Sequence, residues 1–191
     1  GVPAWYIESC RKIQYLFPKA HAVAYVMMAF RIAYFKVHFP LAYYSAYFYR
    51  RSDSFDAMLM TRGVDAVRKK INEIRRDPQA SKKDEETLTT LEAVYEFYLR
   101  GFDFKRIDLY KSEATKFVID GSSLIPPFIA IAGLGEAAAN DLVKCRLDGR
   151  RFISVEEVTG ACPKVSQTHI QQLKELGALG DIPQTSQMSL F

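Results

Sequence analysis

Residues 129–139 read Ile-Ala-Ile-Ala-Gly-Leu-Gly-Glu-Ala-Ala-Ala, and this joint decides what kind of domain the chain builds. Ile129, Ile131 and Leu134 supply apolar anchors, while Gly133 and Gly135 let the backbone turn sharply and approach a ligand closely. Small residues from Ala137 onward then open a helix, and Ala139 suits tight packing of one helix on another. The first N–H groups of a helix have no intrahelical partner and, aided by the helix dipole, can seat a phosphate. A glycine-capped turn with no ligand fits the same residues. A dinucleotide-binding Rossmann turn does not, because no third glycine follows at the required spacing and no strand–helix–strand pattern surrounds the joint.

Outward from the joint, the pattern alternates between helix and short strand. Upstream, Arg106–Tyr110 and Thr115–Ile125 read as short strands, with Asp120-Gly121 turning a hairpin. Before them, Asp56–Arg76 and Asp84–Arg100 are two amphipathic helices forming a helical hairpin. The first carries Met60, Val64, Val67, Ile71 and Ile74 on one stripe, and the second carries Leu88, Leu91, Val94, Tyr95, Tyr98 and Leu99. Gly101 suits the residue just past a helix end. Nearer the start, residues 2–17 read as a helix. Pro18 restarts the chain, and about 20 residues follow without Pro or Gly until Pro40. That second helix is apolar almost all round and predicts a sheath of other elements. Residues 41–51 are so rich in tyrosine and phenylalanine that they too predict further protein against them. Downstream of the joint come Lys144, Arg146, Arg150 and Arg151, a final helix over Ser166–Leu176, and a polar stretch ending in Gln187-Met188-Ser189-Leu190-Phe191. No long-period internal repeat is evident. The expected fold class is mainly α with a small β-hairpin: a helical segment over 1–101, a ligand-gripping domain over 102–182, and a flexible tail over 183–191.

Composition narrows the function classes. The chain has 191 residues, 49% apolar and 25% charged, enough for a core without staples. Its three cysteines are distant in sequence and form no metal-ligand spacing, so neither a disulfide framework nor a metal site is expected and a cytoplasmic location is the default. The longest apolar run, Ala22–Phe30, is too short for the roughly 20 residues of a membrane helix, so no membrane partner is expected. Net charge is +4, but residues 1–50 hold six Lys and Arg against a single acid, Glu8. A basic, aromatic-rich first quarter suits an anionic partner. Solvated cations around a helical core fit equally well.

Two levels of resemblance follow from these residues. The Gly133-Leu134-Gly135 joint resembles the helix-hairpin-helix motif, which grips the sugar-phosphate backbone without reading bases; Ala132 departs from it where proline is usual. Taken with Pro18-Lys19-Ala20-His21-Ala22 and the terminal Gln187–Phe191, the whole chain resembles the C-terminal end of PolC-type replicative DNA polymerases, the alpha-subunit class of polymerase III in Gram-positive bacteria. The resemblance implies a fingers-like part followed by a duplex-binding part and a tail that plugs into the bacterial sliding clamp. It implies nucleotide contacts from Lys19, His21 and Tyr25, and DNA contacts from Gly133, Leu134, Gly135, Glu136, Ala137 and Lys144. It implies clamp contacts from Gln187, Met188, Ser189, Leu190 and Phe191. The implied partners are primer-template duplex, incoming dNTP, the sliding clamp and the rest of the polymerase chain.

Two-metal nucleotidyl transfer needs converging carboxylates, and no Asp-x-Asp pair occurs. The resemblance places the catalytic aspartates and the Mg ions in a palm outside this segment. No catalytic residue, metal or resident cofactor is therefore expected here, and this stretch alone is expected to be inactive. Two other classes stay open from the residues: a stand-alone repair enzyme built on the same joint, and a scaffold with no nucleic-acid role. The repair reading lacks a catalytic Asp or Lys after the joint, since Glu156 and Glu157 look like helix-surface acids. The scaffold reading predicts no salt-sensitive affinity for DNA.

Overall fold

A computed structural model describes residues 1–13, 18–147 and 149–186. The chain divides into two compact units, Gly1–Pro40 and Leu41–Phe191.

The first unit holds α1 (Ala4–Lys12) and α2 (Lys19–His38). Pro3 is the N-cap of α1, one residue before the first turn. Pro18 likewise caps α2, and Phe39 leaves helical geometry at φ −133° because the residue before Pro40 is crowded toward extended backbone. At 20 residues α2 is about 30 Å long. No residue of α2 is buried, and Tyr25 and Phe30 are 67% and 73% exposed. Among the described residues, no single helix is long and apolar enough to cross a membrane.

The second unit is built on an aromatic core. Helix α3 (Pro40–Tyr49) feeds Tyr44 and Phe48 into this unit's own core, where Phe48 meets Phe55, Phe97, Phe104 and Phe117 with ring centroids 5.4–5.8 Å apart. The expected single helix over 56–76 is two, α4 (Ala57–Met60) and α5 (Val64–Arg76). Asp56 caps the first through Met58 N–H, and Gly63 at φ +98° turns the chain in a region that side-chain-bearing residues avoid. Helix α6 (Lys82–Leu99) starts with a reciprocal Ser81–Asp84 capping box, and Gly101 at φ +81° follows its end. Val67, Ile71 and Ile74 of α5 face α6, whose buried stripe is Thr90, Leu91, Val94 and Phe97, while Leu99 stays exposed.

Aromatic packing is continuous across residues 101–102, where the helical segment was expected to meet the next domain. Phe97 stacks on Phe102 at 5.4 Å and reaches Phe104 at 4.7 Å, so one core runs across that point. Beyond it lie β1 (Asp103–Phe104), β2 (Val118–Asp120) and β3 (Ser123–Ile125), in sheet order β1-β3-β2. The expected hairpin is present: β2 pairs antiparallel with β3, Ile119 opposite Leu124, across Gly121 at φ +67°. Strand β1 pairs parallel with β3. The expected strand over 106–110 is a turn instead, because Asp108 Oδ1 accepts the N–H groups of Tyr110 (2.8 Å) and Lys111 (3.0 Å) and curls the backbone around itself. A 3₁₀ turn at Phe128–Ala130 then leads to α7 (Glu136–Lys144), α8 (Val155–Ala161) and α9 (Gln167–Glu175).

Candidate nucleic-acid interface

The joint is built around one inward side chain. Phe128 and Ile129 N–H donate to the carbonyls of Glu113 and Ala114, which fix the approach to the turn. Ile131 and Leu134 are buried, Leu134 N–H donates to Ile131 O at 3.0 Å, and Gly133 at φ +79° reverses the chain between them. Ala138, Ala139 and Leu142 continue the buried face along α7, with Ala139 fully enclosed. Outward lie Gly133, Ala132's neighbour in the turn, and Gly135, Glu136 and Ala137 at the start of α7. Gly135 is the N-cap and brings no capping side chain. Among the described residues, no hydrogen bond engages the N–H groups of Gly135, Glu136 or Ala137. Three backbone donors at the positive end of a helix thus face solvent over a buried leucine, which is a seat for an oxyanion. Glu136, in the first turn, is the one acid of that turn.

The structure supplies a second turn, which sequence reasoning passed over, with the same buried anchors and N-cap angles, although Lys164 does not share the positive φ of Gly133. Between α8 and α9, Cys162 and Val165 are buried, Val165 N–H donates to Cys162 O at 3.0 Å, and Pro163 and Lys164 are exposed. Ser166 caps α9 at φ −71°, ψ 160°, against −73° and 162° for Gly135. Residue by residue, Cys162-Pro163-Lys164-Val165-Ser166 matches Ile131-Ala132-Gly133-Leu134-Gly135. The proline absent at Ala132 is present at Pro163. The two anchors are 31 positions apart, a repeat hidden because only the buried anchors and the N-cap geometry are shared. The available signal was Pro163 followed by Val165 and a serine N-cap.

The two turns are tied together. Lys164 N–H donates to Asp141 Oδ2 of α7 at 3.1 Å. His169 of α9 reaches to the first turn, where its Nε2 lies 3.5 Å from where a side chain on Gly133 would begin. Ser166 Oγ accepts His169 N–H and lies 2.9 Å from His169 Nδ1. A Ser166 hydroxyl that donates to Nδ1 leaves Nε2 as the ring's donor beside the glycine tip, whereas an Nδ1–H donating to Oγ leaves Nε2 as an acceptor.

Other expected contacts lie elsewhere. Lys144 is exposed but closes α7, about 12 Å along the axis from Glu136 at 1.5 Å per residue, so α7 does not bring it to the seat. Arg146, one of the cations that follow the joint, points inward. Its side chain is 9% exposed and donates to Leu109 O (2.6 Å) and Ser112 O (2.5 Å), with the Phe128 ring 5.8 Å away. Burial lowers its pKa, opposed by the charges of Glu113 and Asp108. Arg150 pairs with Glu157 at 2.8 Å, and Arg151 lies over the Tyr110 ring at 4.2 Å. Lys19, His21 and Tyr25 share the start of α2, where the His21 and Tyr25 rings meet edge-on at 4.6 Å. Gln187, Met188, Ser189, Leu190 and Phe191 lie outside the described residues. Among the described residues, no three His, Cys, Asp or Glu side chains form a metal-binding group.

The family described as helix-hairpin-helix motif matches residues 101–188. Proteins named DNA polymerase III PolC-type match the whole chain: 50% identical over 193 residues in Streptococcus pneumoniae, 51% over 192 in Bacillus cereus and 47% over 190 in Thermotoga maritima. The chain spans 13–14% of the length of these relatives.

Proposed function

From a chain that is, along its whole length, a segment of PolC-type DNA polymerase III, we infer a duplex-holding part of a replicative polymerase, one that grips primer-template DNA by its phosphates and reads no bases. The observation that carries this is the exposed glycine tip at 133–135, whose helix-opening N–H groups stand over buried Leu134. His169 adds a side-chain donor beside them. The second turn offers Lys164 and the first N–H groups of α9 to a neighbouring phosphate. In fluorescence anisotropy the chain should bind duplex DNA of unrelated sequences equally, with binding that weakens steeply as salt rises. Salt-insensitive or sequence-selective binding refutes this reading.

Two finer roles belong to the same proposal. Lys19, His21 and Tyr25 contribute to a nucleotide pocket, an ammonium and an imidazole toward the triphosphate and a ring toward the base pair. The uncovered apolar surface of α2 is covered by the rest of the polymerase chain, which also brings the catalytic carboxylates, the Mg ions and the dNTP site, in the cytoplasm. Burying side chains such as Val26 and Phe30 there is worth roughly 1.5–3 kcal/mol each. At the other end, Gln187–Phe191 plugs into the sliding clamp. Burying Leu190 and Phe191 gives about 3–6 kcal/mol before ordering costs, which corresponds to micromolar affinity at best. Tethering on one DNA molecule raises the effective concentration enough for this to hold. Deleting Gln187–Phe191 should abolish clamp binding and leave thermal unfolding unchanged; a clamp signal that survives the deletion refutes the tether.

A further inference from the structure

The C-terminal end of α9 carries a second feature that the twin turns do not use. A cavity of about 440 Å³ opens between the turn after α4 and the end of α9, with Arg62, Arg106 and Lys174 on its walls and Met58 and Leu176 as its apolar lining. Glu175 is the one acid lining it, and its carboxylate accepts from Gln171 at 3.2 Å. A smaller cavity of about 210 Å³ shares Arg106 and Gly177 with it; there Lys105 and Lys111 are held by Asp120 at 2.9 and 3.9 Å.

Arg62 and Arg106 differ from the lysines of the two cavities: Lys174 Nζ donates to Gln184 Oε1 at 2.7 Å, and Lys105 and Lys111 pair with Asp120. Among the described residues, no hydrogen bond or ion pair engages either guanidinium. Arg106 lies across Gly177, which has φ +69°; a side chain at Gly177 would begin 3.3 Å from Arg106 Nη1. Arginine beside a helix end usually satisfies the last carbonyls. Here two of those carbonyls are already taken: Ala178 N–H donates to Leu173 O at 2.8 Å and Gly177 N–H to Lys174 O at 2.9 Å. The guanidinium donors are therefore left for something outside the chain.

We propose that the groove of Arg62, Arg106 and Lys174 is a second phosphodiester site, which holds the DNA strand beyond the point gripped by the twin turns. Reach supports a strand over a lone anion. From Gln167, beside the twin turns, to Glu175, at the groove, α9 rises about 12 Å. Duplex DNA advances about 3.4 Å per phosphate along one strand, so the two ends of α9 are separated by about three to four phosphates. The groove's apolar lining suits the sugar face of a strand. The proposal uses the duplex-holding reading for its ligand but none of its residues.

The test follows amide resonances of the full chain during titration with duplex DNA and, separately, with inorganic phosphate at matched ionic strength. With DNA, Gly177 and Leu176 shift at the same concentrations as Gly133 and Gly135. In the Arg62→Ala/Arg106→Ala double variant the Gly177 shift is lost and the Gly133 shift persists. By anisotropy, the slope of log affinity against log salt falls by about two in that variant. A Lys69→Ala/Arg76→Ala variant, which removes the same charge from α5, keeps the wild-type slope. Unshifted Gly177, an equal slope loss in the α5 variant, or saturation by inorganic phosphate alone overturns the groove as a strand site. Silent Gly133 and Gly135 with a responding Gly177 instead overturn the hairpin reading and leave the groove standing.

Discussion

A single carboxylate placed at residue 137 separates the grip from the fold. Ala137 is exposed at the second position of α7, beside the open N–H groups of Gly135 and Glu136. In Ala137→Glu the new charge faces the positive helix end and stabilises the helix by about 0.3–1 kcal/mol. It does not face Glu136, because adjacent residues diverge on a helix. The same charge stands about 5 Å from a seated phosphate and repels it by about 1 kcal/mol in a water-like medium and about 3 kcal/mol at a protein-surface dielectric. DNA affinity should then fall roughly 5- to 160-fold while the melting temperature holds or rises. The assay pairs anisotropy on a short duplex with thermal denaturation, and Ala137→Gln serves as the uncharged control. Unchanged affinity in the Glu variant refutes the phosphate seat. Equal weakening by Gln and Glu refutes the electrostatic account, because bulk alone would then explain the loss.

Glu136→Gln removes the acid already beside the seat and should tighten duplex binding several-fold, measured in the same titration. Arg146→Ala leaves the carbonyls of Leu109 and Ser112 without their donor and should cost about 2–4 kcal/mol in urea unfolding. Its DNA affinity should stay at the wild-type value wherever the variant remains folded. Tyr98 donates to Met60 O, and burial, reinforced by the Asp103 charge, pushes its pKa up to about 12. Because the folded pKa lies above the unfolded value near 10, the stability it contributes is complete below about pH 10 and is lost as pH rises through about 12; Tyr98→Phe should flatten that alkaline decline. Cys10 is exposed whereas Cys162 is buried 2.6 Å from Cys145 Sγ, and burial raises the Cys162 pKa, so alkylation should label Cys10 first and Cys162 slowest.

What was legible in the sequence was what local chemistry decides. The glycine pair announced the first turn, Asp120-Gly121 the hairpin, Gly101 a helix end, and Pro18 and Pro40 the limits of α2. Long-range choices were not legible. Arg146 reads as one more surface cation until the carbonyls of Leu109 and Ser112, more than thirty positions away in the chain, are brought to it. The strand expected at 106–110 failed because one side-chain oxygen of Asp108 competes for the backbone donors. The second turn escaped because its tip uses Pro163 and Lys164 where the first uses Ala132 and Gly133, so the likeness lies in burial and cap angles. His169 carried no signal of its own: only the proximity of α9 to Gly133 gives it a place at the interface.

The open N-terminus of α7 has a consequence for how such a site is found. Its donors belong to the main chain, which every residue except proline supplies, and they neither titrate nor oxidise. Gly135 brings no side chain to the cap, and Ala137 is already alanine, so an alanine scan passes over the seat without touching a donor. Only added charge, added bulk or a proline makes it visible to mutagenesis. A contact made this way tolerates substitution at its own positions, and what must be kept is the geometry beneath it: buried Leu134 and the left-handed Gly133.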